Sequence, residues 1–297
     1  MAMILFSSLT TISLFDNVSL FIFSSAIALI VTWIAYLKNF FSLPFKDFEG
    51  PQVRFFDCLA VFLIFIASYQ LLAEELVKFL SRHAHIHSRT TLLSISQLLT
   101  FLATVVLLVL YGLVCQGKKV SLKIWKDQTF PLSKPIYQDI GFGVLSWVVA
   151  IPMVVATSYF TQTLTDLFFG ISEKEQLAVR YLKLALDEPF ALFVALFSIL
   201  IAAPFMEEYL FRGILQSWLR TRLGPIKAIV VSSVFFAALH YSPQQAVTNI
   251  PLLVTLFTFA LYLGFIYEKT RSLFAPAFLH VTFNFISAMR IISLSME

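Results

Sequence analysis

The sequence predicts an all-α fold, a polytopic membrane helix bundle of about eight transmembrane helices. Hydrophobic residues make up 59% of the 297 residues and charged residues 13%, whereas soluble domains carry roughly 25% charged residues. The mean hydropathy is +0.86. The apolar residues are gathered into runs of about 20, the length of helix that crosses the hydrocarbon layer. Only helices satisfy their own backbone in lipid, so each run is expected to be helical.

Eight such runs follow one another along the chain. They are 18–37, 55–76, 92–115, 140–160, 189–223, 226–241, 250–267 and 273–292. Gly224-Pro225 separates the fifth run from the sixth, and Ser242-Pro243 ends the sixth, because glycine and proline interrupt helices. The fifth run is long, and its C-terminal part is expected to project beyond the bilayer. Segment 161–188 mixes charges with apolar residues at helical spacing, which favours an amphipathic helix at the membrane surface.

The division into units follows from this pattern. Residues 1–188 form the four N-terminal helices and the interfacial segment, and residues 189–297 form helices five to eight. Loops one, three, five and seven carry most of the basic residues: Lys38, Lys46, Arg54, Lys118, Lys119, Lys123, Lys126, Lys134, Arg220, Arg222, Lys227, Lys269 and Arg271. This bias predicts that these loops are cytoplasmic and the N-terminus is outside. The net charge of +4 therefore reflects topology, and we expect no nucleic-acid partner.

Charged residues inside the fifth run mark a candidate functional site. The stretch 204–213, Pro-Phe-Met-Glu-Glu-Tyr-Leu-Phe-Arg-Gly, holds Glu207, Glu208 and Arg212 in an otherwise apolar segment. An ion in the membrane is costly unless it is paired or solvated, so such charges indicate function. Glu208 and Arg212 are four residues apart and share a helix face, so they are expected to pair. Glu207 is rotated by roughly 100° and faces another partner.

Two further apolar runs carry histidines. His240 lies four residues after Phe236, whose ring is expected to wall the histidine, and His280 lies four residues before Asn284. At about 1.5 Å per residue, Glu207 and His240 reach a similar depth in the membrane. A buried carboxylate and a histidine form a general-base pair, and a second histidine with an amide offers donors to an oxyanion. The chemistry implied is attack of an activated water on an amide.

These motifs resemble those of a known family. Glu207-Glu208-xxx-Arg212, Phe236-xxx-His240 and His280-xxx-Asn284 are similar, in the same order, to the three motifs of the CPBP intramembrane proteases. That family includes the CAAX prenyl endopeptidase of the Rce type and the bacterial Abi proteins. The resemblance covers about residues 189 to 292. It implies an eight-helix bundle with a cavity open towards the cytosol.

The resemblance also implies a role for each residue. Glu207 and His240 would activate the water, His280 and Asn284 would stabilise the oxyanion, and Glu208 and Arg212 would position the first glutamate. We expect catalysis without a cofactor. Zinc held by Glu207, His240 and His280 is the alternative, since glutamate and histidine are common zinc ligands. The signature His-Glu-x-x-His does not occur in the chain, which argues against a site-2-type protease.

The sequence therefore predicts an intramembrane endopeptidase that hydrolyses a peptide bond of a membrane-associated or lipid-modified substrate. Its partners would be the lipid bilayer and a peptide or protein segment at the membrane. The protein would be an integral, multi-pass membrane protein, in the cell (inner) membrane if bacterial. Two alternatives are a proton-coupled transporter, in which Glu207 and the histidines relay protons, and a non-catalytic scaffold or immunity protein of the same fold.

Overall fold

The computed structural model describes residues 14–43, 50–84, 86, 88–170 and 177–296. Within these ranges the chain is helical, and its sole β pairing is an isolated bridge between Lys126 and Ser272. The predicted all-α helix bundle is therefore confirmed. The α-helices are α1 (Leu14–Leu37), α2 (Phe55–Ala67), α3 (Ala73–His83), α4 (Arg89–Tyr111), α5 (Lys118–Trp125), α6 (Ile136–Phe169), α7 (Leu177–Ala185), α8 (Pro189–Phe197), α9 (Ala203–Glu208), α10 (Ser217–Ala238), α11 (Asn249–Thr270) and α12 (Phe274–Met296).

Short π-helical turns connect several of these α-helices. They are the π-helical turns π1 (Ser68–Leu72), π2 (Gly112–Gly117), π3 (Ser198–Ala202) and π4 (Tyr209–Gln216). A π-turn inserts an extra residue into the helix and changes the direction of the side chains beside it. One 3₁₀ turn, Pro243–Thr248, leads into α11.

Seven helical stretches among the described residues are long and apolar enough to cross a membrane. The fifth and sixth predicted spans lie in one of them, Pro189–Ala238, which is 50 residues long. A straight helix of that length would be about 75 Å long, far more than the hydrocarbon thickness of about 30 Å. Gly224 breaks the helix, because its backbone is non-helical with φ 76° and ψ 170°. The fifth and sixth predicted spans therefore meet at a sharp bend at Gly224-Pro225, where the sequence predicted that they separate.

The structure corrects the prediction in two other places. Helix α6 continues through residues 161–169 instead of giving way to an interfacial segment. The hydroxyls of Thr161, Thr163 and Thr165 donate to carbonyls four residues earlier, so these polar residues are accommodated within the helix. The rest of the segment contains α7, while residues 171–176 lie outside the described residues. The third loop, predicted to be polar and irregular, begins with helix α5. Gly117, with φ 89°, separates α5 from π2, a backbone conformation that glycine adopts without strain.

The C-terminal helices lie inside the bundle. In each of the three C-terminal spans, 44–50% of the most apolar 18-residue stretch is buried inside the protein. The corresponding share in the four N-terminal spans is 17–28%. The main core is formed around π4 and helices α10, α11 and α12, with Leu210, Phe236, Phe259 and Leu263 fully buried. Helix α6 packs against α1 on one side and against α11 and α12 on the other. The motif-bearing helices are thus enclosed by a lipid-facing layer of N-terminal helices.

Candidate active site

Two adjacent glutamates end helix α9 and face different surroundings. The Glu208 side chain is completely buried, whereas the Glu207 side chain keeps 12% of its surface exposed. Because successive residues of a helix are rotated by about 100°, burial of one side chain leaves the other on a different face. Glu207 is the carboxylate with access to a cavity.

Glu208 is the centre of a buried ionic cluster. Its Oε1 atom accepts a hydrogen bond from Arg212 Nη1 at 3.1 Å and one from His280 Nδ1 at 3.0 Å. Arg212 Nη2 also donates to the carbonyl oxygen of Ala260 at 3.2 Å. The guanidinium lies over the Phe236 ring, 4.6 Å from its centroid, a favourable cation–π contact. We name Glu207, Glu208, Arg212 and His280 the Glu208 cluster.

His280 joins the two glutamates. A carboxylate accepts hydrogen bonds, so the bond to Glu208 places a proton on His280 Nδ1. The other ring nitrogen, Nε2, lies 3.8 Å from Glu207 Oε2, which is beyond hydrogen-bond distance. The contact is attractive only when the ring carries a proton on both nitrogens. The ring is fully buried, with its edge against Phe259. His280 therefore lies beside Glu207 without a hydrogen bond from Nε2.

His240 lies just beyond the C-terminus of α10. Its Nδ1 atom is 2.8 Å from the carbonyl oxygen of Phe236, and a carbonyl only accepts, so Nδ1 is the donor. In the neutral ring this leaves Nε2 as a proton acceptor. The Phe236 ring packs 4.9 Å from the His240 ring. The expectation that Phe236 walls this histidine agrees with the contact.

Glu207 and His240 line the same cavity, which has a volume of about 210 Å³. The other lining residues come from both halves of the chain: Phe65, Tyr69, Gln97, Phe101, Ser198, Ala202, Ala203, Met206, Phe211 and Leu239. The cavity is mostly apolar, with a few polar groups directed into it, as small-molecule and peptide sites commonly are. A carboxylate and an acceptor imidazole nitrogen therefore share one confined space.

Asn284 binds a backbone carbonyl of π3 through one of the two N–H groups of its amide. In π3 a carbonyl accepts from the N–H five residues later, as Ser198 O does from Ala203 N–H. The carbonyl of Ile199 would need the N–H of residue 204, which is a proline and has none. Asn284 Nδ2 donates to this oxygen at 2.9 Å. Neither Asn284 nor His280 is among the described residues that line the cavity.

Comparison with known proteins identifies this part of the chain. Residues 189–286 match the family described as type II CAAX prenyl endopeptidase Rce1-like. We call residues 189–286 the Rce1-like domain after this match. The resemblance to the CPBP/CAAX proteases is thereby confirmed, although the match spans less than half of the chain. Comparison with curated proteins and with solved structures gave no match.

The Rce1-like domain contains all the residues singled out by the sequence motifs. The structure brings Glu207, Glu208, Arg212 and His280 into one cluster and puts His240 in the cavity beside Glu207. The match of residues 189–286 to this family, together with seven apolar helices among the described residues, indicates an integral, multi-pass membrane protein with a CAAX-type intramembrane protease region.

Zinc bound by Glu207, His240 and His280 stays an alternative. Among the described residues, no group of three His, Cys, Asp or Glu side chains is placed to hold a metal ion. The Nδ1 atoms of His280 and His240 bond to Glu208 and to a backbone carbonyl, a pattern that leaves Nε2 as the possible ligand atom. The mechanism proposed below uses no zinc, and a chelator tests the alternative.

Sequence reasoning missed the N-terminal residues at the cavity. Tyr69 and Gln97 belong to the second and third predicted spans, outside the Rce1-like domain, yet they line the cavity with Glu207. The available signal was a polar side chain inside an apolar run, which is uncommon in lipid. It is clearest for Gln97, which lies among leucines in run 92–115.

Proposed function

We propose that this protein is an intramembrane endopeptidase in which Glu207 and His240 activate a water molecule for attack on a peptide bond. The observation that supports the proposal best is that these two residues of the Rce1-like domain line the same cavity. A carboxylate and a neutral imidazole nitrogen together accept both protons of a water held between them. General-base catalysis of this kind contributes about 10²- to 10⁴-fold in rate.

In the proposed reaction Glu207 takes a proton from the water while the water oxygen bonds to the substrate carbonyl carbon. The carbonyl π electrons move to its oxygen and form a tetrahedral oxyanion. The carbon–nitrogen bond then breaks as the proton passes from Glu207 to the leaving amine. Glu208, held by Arg212, fixes His280 through a hydrogen bond. The protonated ring of His280 then attracts Glu207 across 3.8 Å, so these residues act by positioning.

A second cavity supports a substrate with an apolar group. It has a volume of about 310 Å³, lies between α4, α5 and α9, and shares Phe101, Ala202 and Met206 with the Glu207 cavity. Its lining is almost entirely apolar, with Trp125 at one wall and Lys118 as its charged member. We propose that it accepts an apolar or lipid-modified part of the substrate while the peptide bond reaches Glu207.

We also propose which part of the chain is catalytic and where the protein is located. Residues 189–297 are the catalytic unit, and residues 1–188 supply the helices that enclose it and part of the cavity wall. The location is the cell (inner) membrane if the protein is bacterial, with odd-numbered loops in the cytoplasm.

The test is cleavage of a peptide library, with and without a lipid-modified cysteine, by purified protein in liposomes. We expect the wild type to cleave, and Glu207→Gln to lose at least about 100-fold in kcat while remaining folded. The matched control is Glu75→Gln, which removes an exposed carboxylate of the other Glu-Glu pair and its ion pair with Lys78.

Two results would contradict the proposal or part of it. Full activity of Glu207→Gln would exclude the glutamate mechanism, and absence of cleavage combined with proton-driven solute uptake would favour a transporter. A chelator added to each reaction tests the zinc alternative, because metal-dependent cleavage would disappear and return with added zinc.

A further inference from the structure

A small basic cavity lies at the ends of two membrane-crossing helices. Its volume is about 120 Å³, and we name it the Lys134 cavity. Lys134 and Gln138 line it at the N-terminal end of α6, and Lys269 lines it at the C-terminal end of α11. The other lining residues are Leu132, Asp139, Phe142 and Thr270. None of these residues lines the Glu207 cavity or the apolar cavity next to it, so the Lys134 cavity is a separate site.

The position of the Lys134 cavity along the chain places it at the level of the lipid headgroups. Two of the seven apolar stretches are Ile136–Phe169 and Pro243–Thr270. Lys134 precedes the first of them by two residues, and Lys269 is the last residue but one of the second. The polar headgroup region of a bilayer begins where the hydrocarbon ends. Loops three and seven, which hold these lysines, are on the predicted cytoplasmic side, where anionic lipids give the membrane a negative surface potential.

The Lys134 cavity carries a net positive charge. Its one carboxylate, Asp139, is bound by Lys126 Nζ, which offsets the negative charge. No carboxylate of the described residues pairs with Lys134 or Lys269. Lys269 Nζ donates one hydrogen bond to the carbonyl oxygen of Ser42 at 2.8 Å, and an ammonium group has three N–H donors. Two ammonium groups therefore remain available to an anionic ligand.

Phosphate is the anionic group that suits this lining best. Lysine binds phosphate as a point charge. Gln138 Nε2 donates one N–H to Tyr137 Oη at 3.2 Å, which leaves its second N–H for a ligand. The cavity is smaller than the roughly 300–1,000 Å³ of sites for drug-sized molecules, so it fits one headgroup. Leu132 and Phe142 add apolar surface beside the charges.

We propose that the Lys134 cavity binds the phosphate of an anionic phospholipid from the cytoplasmic leaflet. The ammonium groups of Lys134 and Lys269 contact the phosphate oxygens, and the Gln138 amide donates to one of them. Basic pockets between membrane helices on the cytoplasmic side hold lipid headgroups in this way. The bound lipid links the end of α6 to the end of α11, two helices that pack against each other. This inference does not depend on hydrolysis at Glu207.

The experiment is native mass spectrometry of the full chain in a non-ionic detergent, titrated with phosphatidylglycerol or with phosphatidylcholine of the same acyl chains. We expect the wild type to bind phosphatidylglycerol at least about tenfold more tightly, because the choline cation cancels the phosphate charge. A lysine near an anionic surface contributes about fivefold in affinity. Lys134→Gln should therefore lose about fivefold for phosphatidylglycerol, and Lys134→Gln with Lys269→Gln about 25-fold.

Two controls keep this test specific. Lys119→Gln with Lys227→Gln removes two exposed lysines from the same predicted side of the membrane, outside the Lys134 cavity, and should change the affinity less than about twofold. Lys269→Gln also removes the bond to Ser42, so the melting temperature of each variant is measured. Lys134→Arg keeps the charge and should keep the selectivity for phosphatidylglycerol.

Three results would overturn the inference. The first is equal affinity of the wild type for the two lipids. The second is an equal loss in the cavity variants and in the Lys119 and Lys227 control, since the attraction would then be spread over all basic loops. The third is binding of glycerol phosphate as tight as that of phosphatidylglycerol, which would make the ligand a soluble phosphate compound.

Discussion

Two buried ionic clusters follow each other along α9, π4 and α10, and only one of them adjoins the Glu207 cavity. In the Glu208 cluster, Arg212 reaches across to the carbonyl of Ala260 on α11. One turn further, Gln216 reaches across to the carbonyl of Gly264. Gln216, Arg220, Glu268 and Arg271 form the second cluster, which we name the Glu268 cluster.

The Glu268 cluster satisfies its carboxylate completely. Glu268 Oε1 accepts from Gln216 Nε2 at 3.1 Å, and Oε2 accepts from Arg220 Nε at 2.9 Å and Arg271 Nη2 at 2.6 Å. None of these four residues lines the Glu207 cavity. The Glu208 cluster has the same glutamate–arginine core but adds Glu207, which faces the cavity. In the proposed function, the buried glutamate–arginine pair is structural in both clusters, and the chemistry depends on the neighbouring carboxylate that faces the cavity.

The comparison is tested most severely by Glu208→Ala. This change removes the partner of both Arg212 and His280, and loss of one member of a buried ion pair costs about 3–5 kcal/mol. We expect a lower free energy of unfolding and also a lower kcat in the folded fraction, because His280 no longer holds Glu207. Thermal unfolding in detergent and turnover per folded molecule measure the two effects. An unchanged melting temperature would show that the cluster is not structural.

Glu268→Ala is expected to separate the two effects. It leaves Arg220 and Arg271 buried without their carboxylate, at a similar cost of about 3–5 kcal/mol. The residual folded protein should keep wild-type kcat, since no atom of the cluster lies at the cavity. Thermal unfolding in detergent and turnover per folded molecule again measure the two effects. A loss of kcat at an unchanged melting temperature would contradict the assignment of a purely structural role.

Gly143→Ala disturbs the Glu208 cluster through helix packing alone. A Cβ atom at Gly143 would lie 2.1 Å from the backbone oxygen of Ala275, so α6 and α12 would have to separate. Overpacking costs about 1–3 kcal/mol, and a shift of α12 would move His280, so kcat should also fall. The matched control is Gly141→Ala, which meets no atom within 4 Å and should gain up to about 1 kcal/mol from helix propensity. Equal melting temperatures for the two variants would refute the packing argument.

The smallest effect is expected at Glu188, a carboxylate outside both clusters. Hydrogen bonds from the hydroxyls of Ser88 and Thr91 lower the pKa of Glu188 below its ordinary value of 4.5. A lowered pKa stabilises the folded protein above the unfolded-state value, and this contribution disappears as pH falls through the folded-state value. Glu188→Gln should therefore melt slightly below wild type at neutral pH, with the difference vanishing in acid. A difference that grew in acid would contradict the sign.

The largest difference between the sequence prediction and the structure concerns two basic residues that were assigned to loops. Arg220 and Arg271 were counted as topology signals, yet they are 9% and 2% exposed and bound to Glu268. No periodicity relates residue 220 to residue 268, because they are neighbours only after α10 and α11 pack. The predictions for Glu207, His240 and the Glu208–Arg212 pair rested instead on spacing within one helix or on depth in the membrane.

The sequence by itself determined the all-α membrane bundle and the Rce1-like motifs. Hydropathy acts locally, since each run of about 20 apolar residues must become a helix in lipid, and the i, i+4 spacing of Glu208 and Arg212 makes them neighbours on any helix. Only the tertiary structure decided that Glu207 faces the cavity, that Tyr69 and Gln97 join it, and that Asn284 bonds to the Ile199 carbonyl. These outcomes depend on π-turns and on helix packing, which bring together residues far apart in the chain.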